Sequence, residues 1–111
     1  MSDEKGDLRT IWKFPLSPGE NNLMMNRHAT VLHIEAQRVE SEKLFGVTQH
    51  DQQIQMWAMV SPGNGFVNRK IVGRGTGHPL KSGEDAGTYI ATVQSGPFVW
   101  HFFDLGETEL H

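Results

Sequence analysis

The stretch "VGRGTGHPLKSG", from Val72 to Gly83, holds four glycines, one proline, Arg74, Lys81 and His78, and no carboxylate. A loop that cradles phosphate has this composition; so does a turn at the end of a strand. Two nucleotide motifs are excluded. The dinucleotide fingerprint needs its third glycine one place later, where His78 stands, and a helix after it. A P-loop ends in Gly-Lys-Ser/Thr, which is missing. What remains is a strand end whose backbone N–H groups can form an anion nest. If it is extended, Arg74, Thr76 and His78 share one face, because side chains alternate with period two.

The surrounding charge favours an anion. Between Asp51 and Glu84 there is no acid, while Arg69, Lys70, Arg74 and Lys81 all fall there. The chain as a whole carries −3. A basic middle on an acidic chain suits a small anionic ligand and repels a long polyanion. The ordinary alternative is a set of solvated cations. Trp57 shares its strand face with Gln53, Gln55 and Met59, so its indole is placed to stack on a planar base beside reading amides. Trp12 is a second stacking candidate.

Other chemistry is weaker. The six histidines show no HxH, HxxxH or HExxH spacing, so a metal would need convergence across strands, such as His33, His78 and His101. No serine sits in a GxSxG elbow. Glu35 is the one acid within a well-marked strand. No catalytic set, metal site or cofactor is expected. Zero cysteines exclude disulfides and thiolate chemistry.

The elements that position these residues read as β. Strands are expected at Thr10–Leu16, Ala29–Gln37, Gln53–Val60, Phe66–Gly75, Gly87–Gln94 and Phe98–Phe103, separated by turn clusters at Ser17–Asn22, Ser61–Gly65 and Ser95–Pro97. Residues 38–52 match neither period and form an insert of uncertain structure. No amphipathic helix is legible. The expectation is an all-β single domain, a small sandwich or barrel of five to six mostly antiparallel strands over residues 10–104. A disordered tail is expected at 1–9 and an acidic tail at 105–111. In "FVWHFF", Phe98, Trp100 and Phe102 point one way, and Val99, His101 and Phe103 the other. Both faces are bulky, so a homo-oligomer interface through Phe98, Trp100, His101 and Phe103 is expected. No apolar run approaches the roughly 20 residues that span a bilayer, and no signal-peptide order is present; a cytoplasmic location is expected.

"IWKFPL", "MWAMVSP", "GTGHP" and "GPFVWH" together resemble a family of small phage and actinobacterial proteins, domain of unknown function 7352. The resemblance covers about residues 10–104, with the insert around Arg38–Asp51 as a departure. It assigns no activity, but the phage association implies an anti-defence reading: a protein that sequesters a nucleotide second messenger, such as a cyclic dinucleotide, without cleaving it. Arg69, Arg74 and Lys81 would hold phosphate, Thr76 and His78 would add hydrogen bonds, and Trp57 and Trp12 would stack. The alternative is an interaction module that binds and inhibits a host or phage protein.

Overall fold

The computed structural model describes residues 8–42 and 48–110, with 39–42 and 48–52 described by their backbone. Seven strands follow in order: β1 (Thr10–Leu16), β2 (Gly19–Asn26), β3 (Thr30–Glu42), β4 (Thr48–Val60), β5 (Phe66–Gly75), β6 (Thr88–Ser95) and β7 (Phe98–Thr108). They form two antiparallel sheets, β1-β4-β3 and β2-β5-β7-β6. The fold is an all-β sandwich. Ile34, Ile54, Met56, Ala58 and Val60 of the first sheet meet Met25, Ile71, Val93 and Phe102 of the second. The period-two alternation of β4 therefore supplies one wall of the core directly.

The additional strand is β2. Its sequence, GENNLMMN, starts in the turn cluster expected at Ser17–Asn22, and asparagine disfavours strands. Tertiary bonding overrides that preference. The Asn21 side chain accepts from Ser17 N at 2.8 Å and donates to Ser17 O at 2.9 Å and Ile71 O at 3.2 Å. One amide thus closes the β1–β2 turn and ties it to β5.

Bulges interrupt the period-two alternation of two strands. In β3 the register skips between Val31 and His33, so Leu32 is extra and exposed while Val31 packs on the core. In β6 the skip between Tyr89 and Ala91 turns Tyr89 outward and lets Ile90 and Ala91 both pack inward. The β6–β7 hairpin turns through Gly96-Pro97, with Gly96 at φ +60° supplying the left-handed first position. β7 runs to Thr108, beyond the boundary expected at residue 104.

β7 lies between β5 and β6 and is antiparallel to both, so β5 and β6 are parallel. Parallel strands need a crossover of about a dozen residues. Residues 76–87 make it, ending in a single 3-10 turn at Glu84–Ala86. The "GTGHP" motif is the point where the chain leaves the sheet.

In the insert, the paired backbones of β3 and β4 continue outward as far as Glu42 and Thr48. Residues 43–47 of the insert and 1–7 of the N-terminal tail lie outside the described residues.

Candidate functional site

Period two divides β5. Arg69, Ile71 and Gly73 face the other sheet; Lys70, Val72 and Arg74 face away from it. The crossover returns over that second face. Around its first turn lie three adjoining cavities that share Gly75 and His78. One, about 370 Å³, reaches Gly19, Lys81 and Trp100. The second, about 320 Å³, is walled by Arg74, Thr76, Leu80, His101 and Phe103. The third, about 350 Å³, opens toward Pro97, Phe98 and Trp100. Gly75 and His78 form the wall common to all three, and we call this ring-lined region the hollow.

Glycine builds its centre. A Cβ on Gly75 would lie 2.7 Å from His78 Nδ1. Only glycine lets the imidazole fold back there, where His78 N donates to Gly75 O at 3.0 Å. The ring then sits 6.5 Å from Trp100, centroid to centroid. His101 bonds at both nitrogens: Nε2 to Thr76 Oγ1 at 2.7 Å and Nδ1 to Thr92 Oγ1 at 3.0 Å. Tyr89 extends this chain, its hydroxyl 2.6 Å from Thr92 Oγ1.

The cations are not acid-free in space. Arg74 donates to Glu84 through Nε at 2.9 Å and Nη2 at 2.6 Å, and to Glu20 at 3.4 Å. Glu84 is only 3% exposed and also accepts from Lys81 N at 2.8 Å. The Arg74 hydrogen bond holds the Glu84 carboxyl down to about 2, against desolvation that opposes it. Lys81 and Lys70 reach Glu20 at 2.8 and 3.5 Å. These contacts, the Lys81 bond first, hold Glu20 below the usual carboxylate range. Glu20 comes from β2 and Glu84 from the crossover. The sequence gap in carboxylates is therefore closed by folding.

Of the expected ligand residues, Arg74, Thr76, His78 and Lys81 converge on the hollow. Arg69 does not. It faces the other sheet, where it grips Asp104 at 2.6 Å, Glu107 at 3.1 Å and Ala29 O at 2.8 Å. It clamps the β2–β3 turn to β7. The same turn is held by His28, at φ +65°, whose N–H donates to Glu107 at 2.7 Å, and by Arg27, paired with Glu109 at 2.8 Å. Alternation along β5 was a signal for this separation, since 69 and 74 differ in parity.

Trp57 and Trp12 lie on the other sheet, on opposite faces of it. Trp57 pairs in register with Lys13, Trp12 with the core residue Ala58. Trp57 sits beside His33, ring centroids 6.0 Å apart. The neighbouring Gln55 is buried, with Lys13 reaching over β4 to Gln37 at 3.5 Å, so it is covered and cannot read a base edge. His33, 2.9 Å from Glu35, is likewise on this sheet, away from His78 and His101. Among the described residues no three His, Asp or Glu are grouped to hold a metal.

Within the chain, the two faces of "FVWHFF" are covered to different degrees. Phe102 is in the core with Trp100 packed against it. Leu80 of the crossover lines one cavity with His101 and Phe103, which are half-buried. Phe98 alone of the expected interface stays widely exposed, at 60%. No helix among the described residues is long and apolar enough to cross a membrane.

Fold and site together define a small β-sandwich whose β5–β6 crossover frames a ring-lined hollow. The chain belongs to the family described as Domain of unknown function (DUF7352), whose model matches residues 8–110. No curated protein and no solved structure matches it.

Proposed function

We propose that this protein is a binding module whose hollow at the "GTGHP" turn receives an apolar segment of a partner protein. The observation that supports this most is the state of Arg74. The Nε/Nη2 edge of its guanidinium is already taken by the buried Glu84, whose carboxylate offsets the charge that a phosphate would need. Around it, Phe98 at 60% and Leu80 at 40% exposure stand open beside His78 and Trp100. Exposed rings around a preformed hollow are the ingredients of an interface anchor. The test is capture with immobilised wild type, Phe98→Asp and Leu80→Asp proteins. One stoichiometric protein held by wild type and lost by both variants supports the reading; equal capture by all three sinks it.

A second reading has its own support. Lys70, Arg74 and Lys81 share two carboxylates, Glu20 and Glu84. The rim therefore keeps one positive charge in excess, and Lys81 is 69% exposed. A small anion that displaces Glu20 would meet two lysines, which is the chemistry of nucleotide sequestration. Calorimetry against cyclic mono- and dinucleotides separates the two readings. Micromolar, salt-weakened binding with intact ligand recovered, abolished by Lys81→Ala, favours sequestration. A contact with a second copy through Phe98 would appear as a dimer that Phe98→Asp dissolves.

A further inference from the structure

β3 is an outer strand of its sheet, and among the described residues it pairs only with β4. β1 stops at Leu16, opposite Ile54. Beyond that point β3 and β4 run on alone for six register pairs, from Gln37↔Gln53 to Glu42↔Thr48. The result is a two-stranded arm on a chain 56 Å long. The radius of gyration is 16.4 Å, against about 13 Å for a compact domain of this length.

The sequence changes where the arm begins. Ile34 and Ala36 cover the core; the next positions of the same parity are Arg38, Glu40 and Glu42. On β4, Met56 and Ile54 give way to Gln52, His50 and Thr48. No apolar row holds the arm down, and an isolated two-stranded ribbon is marginal in water. Its edges are templates for pairing.

We infer that the outer edge of β3 pairs antiparallel with β3 of a second copy, about a two-fold axis at Val39. In that register Val39 meets Val39, and Arg38 meets Glu40 on both sides of the axis, two opposite-charge pairs from one sequence. Gln37 falls opposite Ser41. The β4 edge has no such self-match: Thr48–Gln52 holds one carboxylate, Asp51, and no lysine or arginine. The dimer joins two three-stranded sheets into a six-stranded one and leaves the hollow on the other sheet open. It is independent of the binding reading above.

Sedimentation velocity at micromolar protein tests it. Wild type should sediment at twice the 12.5 kDa chain mass. Arg38→Glu and Glu40→Arg should each weaken the dimer about tenfold or more. The double reversal, Arg38→Glu with Glu40→Arg, should restore it. Far-UV circular dichroism should stay unchanged, while the melting temperature of the single variants should fall slightly and lose the concentration dependence that a dimer gives the wild type. A monomeric wild type overturns the inference. So does a dimer that ignores both reversals but dissolves with Phe98→Asp, or single losses that the double reversal fails to rescue.

Discussion

Arg74 and Glu84, ten positions apart, meet at two points, Nε to Oε1 at 2.9 Å and Nη2 to Oε2 at 2.6 Å. The pair pins the end of the crossover to the strand that launches it. Both cavities on the Arg74 side of His78 depend on that closure.

Glu84→Gln should therefore loosen the crossover. It leaves a mostly buried guanidinium with Glu20 alone, at a cost of about 2–3 kcal/mol. The pH dependence has a definite sign. Glu84 is depressed from 4.5 to about 2, so its stabilisation is complete above the ordinary carboxyl range and is lost as pH falls toward 2. Urea melts of wild type and Glu84→Gln should differ at pH 7 and converge at acid pH.

Two glycines on one strand should respond differently to the same change. A Cβ on Gly73 would lie 2.5 Å from the ring of the fully buried Phe102. Gly73→Ala overpacks the core and should cost about 1–3 kcal/mol or more. At Gly75 the obstacle is His78, which can swing outward. Gly75→Ala should melt near wild type yet shift the His78 ring resonances and lose partner binding.

His101→Phe removes both ring hydrogen bonds to the threonines. Thr76 and Thr92 are exposed and can turn to water, so the stability cost should be only about 1 kcal/mol. The local effect should be larger. Thr76 N reaches Val99 O at 3.3 Å, and Thr76 Oγ1 loses its imidazole anchor. Hydrogen exchange at residues 76–78 should speed up while the core amides stay protected.

Arg69→Ala should act as a stability defect. It strips two carboxylates, Asp104 and Glu107, of their shared cation in a mostly buried position, at about 3–5 kcal/mol. Adding Asp104→Ala should cost less than the sum of the single changes, because the two residues form one network. A calorimetric panel should show ligand or partner affinity unchanged once folding is allowed for.

Much of the sandwich was legible along the chain. The alternation of Ile54, Met56, Ala58 and Val60 marks a half-buried strand, and Ser95–Pro97 marks a hairpin. β2 was hidden, because its asparagines read as a turn; Asn21 also bonds Ile71 O, 50 positions away. The bulges at Leu32 and Ile90 were hidden too, because a bulge leaves no trace in a period-two pattern. At the site, composition alone picked out Arg74, Thr76, His78 and Lys81. It also gathered Arg69, Trp57 and Trp12, which the two sheets hold apart.

By itself, then, the sequence determined the all-β class, most strand positions and the glycine-bearing turn that ends β5. Those follow from local sterics and from the side-chain period, which act between neighbours. Only the tertiary structure decided the charge of the site. Glu20 and Glu84 come from other segments to offset most of the positive charge, and an ion pair depends on distance through space. The same holds for the crossover. Its path beside His101 and Phe103 follows from β7 lying between β5 and β6, a pairing that no stretch of sequence encodes alone.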